Sequence, residues 1–517
     1  MSNIFEQVQM STPSKSVFNL SHERKLSCNM GDLVPIFCEE TVPGDKFQIK
    51  SEAIIRMAPM IAPVMHRVNV YMHYFFVPNR LVWDDWEKFI TGGPDGTSNP
   101  VLPFLALNGA VNDQLKSGQL ADFLGCATTE AGATAESHIN VLPFRAYQKI
   151  YNEFYRDQDL ETEITISEES GQEVNRSEML TLRKRAWEKD YFTSSRPEPQ
   201  KGGEVEIPLL GDAPVVLDAT SREQKYVKRA DGTDATLGAV TLENNAAFDS
   251  ALTSGGSDLA LDPQNSLNAD LSSATAMTVA DLRNAVRTQE WLEKNMRGGS
   301  RYIEQMKSHF NVTSSDARLQ RPEYLCGGKV PMSISEVLQT SQSDASPQAT
   351  MAGHGVSAGQ MPTCKTFCEE HGYIIGIMSI LPKTTYQQGF RRHLLKNDKL
   401  DYFWPTFENI GEQEVYNSEL YHDYTTTPNK NSFGYQSRYS EYKTIPNSVH
   451  GDFKTSLDFW HMGRKFDSLP ALNENFVQSD PTTRIFAVED TSDKLWCMIY
   501  NDVKAIRPMK RFANPKL

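Results

Sequence analysis

The residues of this sequence whose types could support catalysis or metal binding lie between positions 354 and 371. The segment Gly355–Gly359 reads GVSAG and matches the G-x-S-x-G pattern that holds the nucleophilic serine of many hydrolases. That motif requires a strand before the serine and a helix after it. Both flanks here, residues 349–354 and the segment around Pro362, indicate loops instead. The pattern therefore predicts a flexible Gly/Ser loop rather than a catalytic serine.

A metal site is the second possibility in this region. Cys364 and Cys368 are separated by three residues, and His354 and His371 lie nearby. A structural zinc site usually presents two close ligand pairs, whereas this segment presents one pair that leads into a strand-like run. The spacing favours structural thiols, so we expect no metal and no cofactor. Seven cysteines in 517 residues, an odd number, also do not predict a disulfide scaffold.

Two acidic pairs, Asp84-Asp85 and Glu369-Glu370, are the remaining candidates for acid–base chemistry. General acid–base catalysis needs two carboxylates that face one reacting bond, but neighbours on a helix point about 100° apart. We expect both pairs to be solvated or ion-paired. The sequence contains no phosphate-binding loop and no dinucleotide fingerprint. It therefore predicts a protein that is not an enzyme.

The C-terminal segment carries the clearest binding signal. Residues 504–517 contain five basic residues, an aromatic residue and no acid, although the formal net charge of the chain is −14. Cations beside an aromatic ring suit a single-stranded phosphate backbone with stacked bases. The alternative is an ordinary solvated terminus. The predicted nucleic-acid-binding residues are Lys504, Arg507, Lys510, Arg511, Phe512 and Lys516.

A second segment has the opposite charge. Residues 231–282 contain eight acidic residues and no Lys or Arg, and small polar residues fill most of the rest. Such a composition cannot bury a large core by itself, so it predicts a surface insertion. The residues that represent this predicted surface insertion, to which the resemblance described below assigns host contact, are Asp231, Asp234, Glu243, Phe248, Asp249, Asp258, Asp262 and Asp270.

The stretch from Arg67 to Gly93 predicts the central element of the fold, a strand followed by a short helix. Apolar residues occupy every second position from Val68 to Phe76, which indicates one buried face of a strand. Pro78 should end that strand, and Asn79 is a plausible N-cap for a short helix that ends at Gly92. A second helix is predicted over 142–157, with a proline at its first turn. Residues 495–506 predict another strand, with apolar residues on both faces, so we expect both of its faces to be buried.

Strands connected by long and unequal segments favour an antiparallel sandwich over a regular βαβ array. The predicted fold is mainly β, a jelly-roll β-sandwich with long loop insertions and a few short helices. The start of the chain has no apolar signal region, and no apolar run approaches the length of a membrane span. Within one domain over 1–517 we expect an N-terminal arm at 1–45, jelly-roll strands with insertions at 46–229 and 278–503, an acidic protrusion at 230–277 and a basic tail at 504–517.

Four stretches resemble the major capsid protein of the microviruses, small icosahedral single-stranded DNA bacteriophages, and in particular the gokushovirus branch. They are the stretch Arg67–Gly93, LPFRAYQKIYNEFYRDQ at 142–158, DYFTSSRPEPQKG at 190–202 and FGYQSRYSEY at 433–442. The resemblance implies an eight-stranded jelly roll with long loops and a structural subunit that self-assembles into a T=1 icosahedral shell around circular single-stranded DNA. It is weakest in the acidic insertion, which in that branch forms protrusions on the three-fold axes.

The same resemblance implies partners and a location. They are other copies of the chain in pentamers and shells, the genome, an internal scaffolding protein, a pilot protein, a small DNA-binding protein and a host surface receptor. The protein would reside in the virion, and in the host cytoplasm during assembly, without membrane insertion. The alternative is a carbohydrate-active jelly-roll enzyme or lectin, which would need converging carboxylates or an aromatic platform in a groove.

Overall fold

The computed structural model describes residues 13–203 and 278–512, apart from 343–347, 426–428, 489 and 491. Between 204 and 277 it describes only residue 205 and four short strands. The chain divides into two compact units, one formed by Met1–Lys201 with Glu293–Leu517 and one by Gly202–Leu292. The predicted insertion at 230–277 falls within the second unit.

Nineteen strands are present among the described residues. In chain order they are β1 Ser16–Asn19, β2 His22–Cys28, β3 Val34–Thr41, β4 Lys46–Met57, β5 Val68–Pro78, β6 Phe104–Leu107, β7 Ser137–Asn140, β8 Val215–Leu217, β9 Val227–Arg229, β10 Leu259–Leu261, β11 Leu267–Ala269, β12 Glu323–Pro331, β13 Ser333–Leu338, β14 Met351–Gln360, β15 Cys364–Phe367, β16 Gly372–Pro382, β17 Glu412–Tyr416, β18 Ser432–Ser437 and β19 Leu495–Arg507.

Nine α-helices accompany these strands among the described residues. They are α1 Trp86–Thr91, α2 Leu120–Phe123, α3 Leu142–Ile150, α4 Arg176–Leu180, α5 Val279–Gly298, α6 Tyr302–Phe310, α7 Asn417–Leu420, α8 Ser440–Lys443 and α9 Glu474–Val477. The prediction of α3 is confirmed, with its proline in the first turn and a π-helical turn over Tyr151–Tyr155. Helix α1 begins at Trp86 rather than beside Asn79, because Asn79–Leu81 form a separate 3₁₀ turn. It ends, as predicted, at Gly92 in the left-handed conformation.

Two antiparallel sheets form a β-sandwich, which confirms the predicted fold class. The larger sheet has seven strands in the order β1-β19-β4-β14-β13, with β2 also paired to β19 and β15 also paired to β4. The smaller sheet has four strands in the order β12-β5-β16-β3. The predicted N-terminal arm over 1–45 therefore contributes β1, β2 and β3 to these sheets. The pairing partners of these strands lie hundreds of residues away along the chain, which the local sequence does not reveal.

The main hydrophobic core lies between the two sheets. Strand β5 supplies Val68, Val70, Met72, Tyr74 and Phe76, all of which are buried, as the period of two predicts. Strands β4 and β19 supply their odd-numbered residues from the opposite sheet, and β16 supplies its even-numbered apolar residues. One polar link crosses this core, where Ser51 in β4 hydrogen-bonds to the Tyr74 hydroxyl and donates to Asn501.

The smaller sheet is buried on its other face as well. Phe75 and Val77 of β5 pack there against a second cluster built from α3 and the loops around it. Trp83 is fully buried in that cluster, with its ring 5.9 Å from the ring of Trp86. The long insertions therefore cover one side of the sandwich, and the second, mostly nonpolar face of β5 meets residues of its own chain.

Candidate nucleic-acid interface

Strand β19 leads into the basic C-terminal segment and places its residues on alternate faces. Its odd-numbered residues from Leu495 to Ala505 are buried against the core. Trp496, Met498 and Tyr500 point the other way and are 50%, 37% and 36% exposed. The prediction that both faces of this strand are buried is therefore wrong. It relied on apolar residue types, whereas Asp502 and Lys504 continue the same outward series and already indicated a solvent-facing side.

The first two predicted nucleic-acid-binding residues, Lys504 and Arg507, belong to β19 itself. Lys504 is exposed on the outward face. Arg507 is engaged within the subunit, because its Nε lies 3.5 Å from the Asp45 carboxylate and its Nη2 donates to the Glu40 carbonyl at 2.9 Å. Its guanidinium also lies 5.3 Å from the centre of the Phe47 ring. Lys504 is therefore free to contact a ligand, while Arg507 mainly ties the end of β19 to neighbouring strands.

Beyond the strand, Lys510, Arg511 and Phe512 are exposed, and Phe512 is 82% accessible. Lys516 lies outside the described residues. The residues predicted for the host-contact insertion also lie outside the described part of the chain: Asp231, Asp234, Glu243, Phe248, Asp249, Asp258, Asp262 and Asp270.

The hydrolase-like segment is not a loop. Residues Gly355–Gly359 lie in the middle of strand β14, which pairs with β13 and β4. Ser357 is buried and donates to the Pro331 carbonyl at 3.2 Å. The loop prediction was therefore wrong, although the segment has no strand–turn–helix geometry that could activate a serine.

The cysteine pair does not form a metal centre. Cys364 in β15 forms a disulfide with Cys326 in β12, so the bond joins the larger sheet to the smaller one. Cys368 is a buried free thiol, and burial raises its pKa to about 12. Within the described ranges, no group of three or more His, Cys, Asp or Glu residues could hold a metal ion.

The acidic pairs are engaged with cations. Asp85 contacts Lys88 at 2.7 Å and accepts a hydrogen bond from Ser170, and these contacts hold its pKa below the ordinary value. Glu370 accepts two hydrogen bonds from Arg80, at 2.6 and 2.9 Å. Neither arrangement directs two free carboxylates at one point.

One cavity of about 610 Å³ lies beside a third hydrophobic cluster. Two carboxylates line it, and both are ion-paired: Glu419 with Arg392 at 2.6 Å and Glu441 with Lys396 at 3.2 Å. Because each acid already faces its own cation, the pair lacks the geometry of a glycoside hydrolase. The aromatic and basic residues around the cavity include Tyr386, Phe390, Arg391, His393, Tyr402 and Tyr442.

Two of the four stretches that carry the resemblance, 190–202 and 433–442, meet in this third cluster, which includes Tyr191, Phe192, Phe433 and Phe476. Phe192 and Phe433 lie with ring centres 6.5 Å apart, and Gln436 donates to the Tyr191 carbonyl at 2.8 Å. Backbone hydrogen bonds in both directions connect Arg196 and Tyr435. These stretches therefore maintain one shared packing unit rather than a chemical site.

Comparison with known proteins identifies the class of protein that this sandwich represents. The model of the family described as "Capsid protein (F protein)" matches residues 6–517. The chain belongs to this phage capsid protein family. It is 37% identical to the capsid protein VP1 of Bdellovibrio phage phiMH2K, over 99% of this chain and 97% of that protein.

Two further relatives extend this comparison. The capsid protein VP1 of Chlamydia phage 1 is 34% identical, over 100% of this chain and 98% of the relative. The capsid protein VP1 of Spiroplasma virus 4 is 32% identical, over 97% and 95%. The predicted resemblance to microviruses of the gokushovirus type is thus confirmed, and the protein is a structural major capsid protein of the virion. None of the helices in the described ranges is both long and apolar enough to cross a membrane.

Proposed function

We propose that copies of this capsid protein form a simple icosahedral shell that encloses a circular single-stranded DNA genome. The observation that carries this proposal is the family match over residues 6–517, which includes the sandwich, the insertions and the basic end together. Closed point-group symmetry is the usual arrangement for many identical subunits. The role is structural rather than catalytic, since the candidate carboxylates and the candidate serine are bound within the fold.

The basic end of the chain contacts the genome from the inner wall of the shell. Exposed Lys504, Lys510 and Arg511 offset phosphate charge and release counterions. Phe512 supplies an exposed ring on which a base can stack. Charge and stacking carry no base code, so the contact tolerates any sequence.

A triple variant with Lys504, Lys510 and Arg511 changed to Gln tests this contact. Each phosphate contact on a single strand adds about 0.7 to the log–log salt slope, so the slope should fall by about 2. Nuclease-protected DNA per particle should fall as well, while empty shells still form. Unchanged packaging together with an unchanged salt slope would refute the contact.

The matched control changes three exposed lysines elsewhere in the chain, Lys88, Lys116 and Lys399, to Gln. It removes the same total charge without touching the basic end. Packaging and slope should remain close to those of the wild type. If the control lowers both as much as the triple variant does, general charge rather than this segment governs DNA binding.

The acidic insertion over 230–277 forms a protrusion on the outer surface and contacts the host receptor. Its composition supports this role, because it contains no basic residue, a single aromatic residue and abundant small residues, and such a segment cannot bury a large core by itself. Replacing it with a short Gly/Ser linker should leave assembly intact and abolish attachment to host cells. Insoluble subunits would instead assign the segment to the core. An internal scaffolding protein, a pilot protein and a small DNA-binding protein are the further expected partners.

A further inference from the structure

The two faces of the sandwich differ in what covers them. The central strands of the smaller sheet, β5 and β16, are buried on both sides, by the main core and by the second cluster around α3. The larger sheet packs only its inner face against the core. On its outward face Trp496 and Tyr500 are exposed, and so are Ile54 in β4 and Phe367 in β15, at 43% and 51%. In the described part of the chain, this outward face is therefore a flat surface of large exposed side chains.

The strand register places cations directly beside Trp496 and Met498. Trp496 is paired across the ladder with Arg56 of β4. Met498, the next outward residue along β19, is paired with Lys25 of β2. Tyr500 is paired with two acids, Glu52 of β4 and Glu23 of β2. Lys504 occupies the same face farther along β19, and its partner Gln48 is paired on its other side with Lys365 of β15. Paired residues on one face are near enough to act together on one ligand.

The face is positively charged although the whole chain has a net charge of −14. The outward basic residues are Lys25, Lys46, Lys50, Arg56, Lys365 and Lys504, and the outward acidic residues are Glu23, Glu52 and Asp502. Two of the acids are already occupied. Glu52 contacts Lys50 at 3.2 Å and accepts from Gln360, and Asp502 accepts from Ser21 at 3.2 Å.

This combination fits a single-stranded nucleic acid better than a protein partner. Protein–protein interfaces are depleted in lysine, whereas five of the six outward cations are lysines. Within the described ranges, Lys25, Lys46, Arg56, Lys365 and Lys504 have no ion-pair partner. Trp496 and Tyr500 are four residues apart on one strand, so their rings stand about 13 Å apart along it. Exposed rings in line, on a face that also carries cations, are a platform on which bases of one strand can stack.

We infer that the outward face of the seven-stranded sheet is a stacking platform for single-stranded DNA. Bases stack on Trp496 and Tyr500, while Arg56, Lys25 and Lys504 contact the phosphates. The inference rests on the proposed enclosure of a genome, and it extends the contact from the basic end of the chain to the sheet that precedes it. It also orients the subunit, because this face must then line the interior of the shell.

The test uses the full-length chain, assembled into particles and also dissociated into soluble subunits. Binding of a fluorescent oligothymidylate to subunits is measured by anisotropy over a range of salt concentrations. The double variant Trp496→Ala/Tyr500→Ala should bind at least about tenfold more weakly, because each stacked base contributes strongly to affinity. Trp496→Phe/Tyr500→Phe, which keeps both rings, should bind nearly as the wild type does. Tyr424→Ala removes a ring elsewhere that is more exposed than either of these and should have no effect.

A charge variant separates stacking from phosphate contact. Lys25→Gln/Arg56→Gln should lower the log–log salt slope by about 1.4, since two phosphate contacts are lost. The inference would be overturned if Trp496→Ala/Tyr500→Ala and Lys25→Gln/Arg56→Gln both kept the affinity and the salt slope of the wild type. It would also be overturned if alanine-variant subunits folded but no longer assembled, because the face would then be a contact between subunits.

The DNA content of wild-type particles distinguishes failure of the stacking platform from failure of the proposed function. If wild-type shells protect DNA and the platform variants bind DNA normally, only the platform is wrong. If wild-type shells contain no nuclease-protected DNA, the enclosure of a genome fails and the platform fails with it.

Discussion

A buried ion pair beneath the helical insertion offers the sharpest test of what stabilises the subunit. Arg145 of α3 and Glu173 are both 1% exposed. The Arg145 Nε donates to Glu173 at 2.8 Å, and its Nη1 donates to the carbonyls of Val82 and Glu169 at 3.1 Å. One guanidinium therefore joins α3 to two loops that cover the smaller sheet. Changing Glu173 to Gln keeps the shape of the side chain but removes its charge. Among the described contacts of Arg145, no other supplies a charge that compensates this buried cation.

The expected loss of unfolding free energy depends on which partner of the ion pair remains in the variant. Glu173→Gln should lower the free energy of unfolding by about 3–5 kcal/mol, because an uncompensated charge remains buried. Arg145→Met should cost a similar amount. The double variant Arg145→Met/Glu173→Met should cost only about 1–3 kcal/mol, because no charge is buried, although the two carbonyls lose a donor and the Asn175 N–H loses its acceptor. The two single losses are therefore expected to be strongly non-additive.

Urea denaturation of dissociated subunits, followed by tryptophan fluorescence, measures these free energies. The matched control is Glu168→Gln, which breaks the pair between Glu168 and Lys149 of the same helix. That pair is 2.9 Å long but a quarter to a third exposed, so its loss should cost below about 1 kcal/mol. If Glu173→Gln also costs less than about 1 kcal/mol, or if the double variant is as unstable as the sum of the singles, the reasoning is wrong.

Three further outcomes are expected. Phe76→Ala should lower the free energy of unfolding by about 3–5 kcal/mol by opening a cavity between the sheets, and an unchanged melting temperature would contradict this. Reducing the Cys326–Cys364 disulfide should destabilise isolated subunits by up to about 4 kcal/mol, given its separation of 38 residues; the Cys326→Ser/Cys364→Ser variant should melt identically with and without reductant. Burial lowers the pKa of His66 and of His73 to about 4. Stability should therefore fall as the pH drops from 6.5 towards 4, where only the unfolded chain takes up these protons, and melts of a variant with both histidines changed to Gln should show a flatter pH dependence.

The periodicity of apolar side chains predicted the central elements of the fold because it directly reflects which side chains are buried. The alternation from Val68 to Phe76 identified one core-facing side of β5, and the proline and apolar stripe of α3 identified that helix. Strand β14 was missed because its glycines resemble loop composition. A Cβ at Gly355 would lie 2.5 Å from the Met57 sulfur, and one at Gly359 would lie 2.3 Å from Val330. Glycine is required there by close packing within the sandwich, not by a turn.

The candidate site was predicted only in part, for a different reason. The sequence predicted the basic end of the chain as a binding segment because the charge of each residue follows directly from its type. Arg507 was counted as a ligand contact because nothing local shows that Asp45 lies beside it. The outward face of the larger sheet escaped notice because its cations come from β2, β4 and β15, which only the register brings together with β19. The disulfide between Cys326 and Cys364 was missed for the same reason.

The pairing of β19 with β1 and β2 has a consequence for synthesis on the ribosome. Val503 in β19 donates to Ser21, 482 residues earlier in the chain. At about 5–20 residues per second, the first strands wait roughly half a minute to a minute and a half before their partner emerges. The larger sheet cannot close until β19 has left the ribosome, so its early strands need protection from aggregation during translation. The same delay prevents shorter nascent chains from presenting a completed sandwich, so polymerisation of subunits is confined to chains in which β19 has emerged and paired.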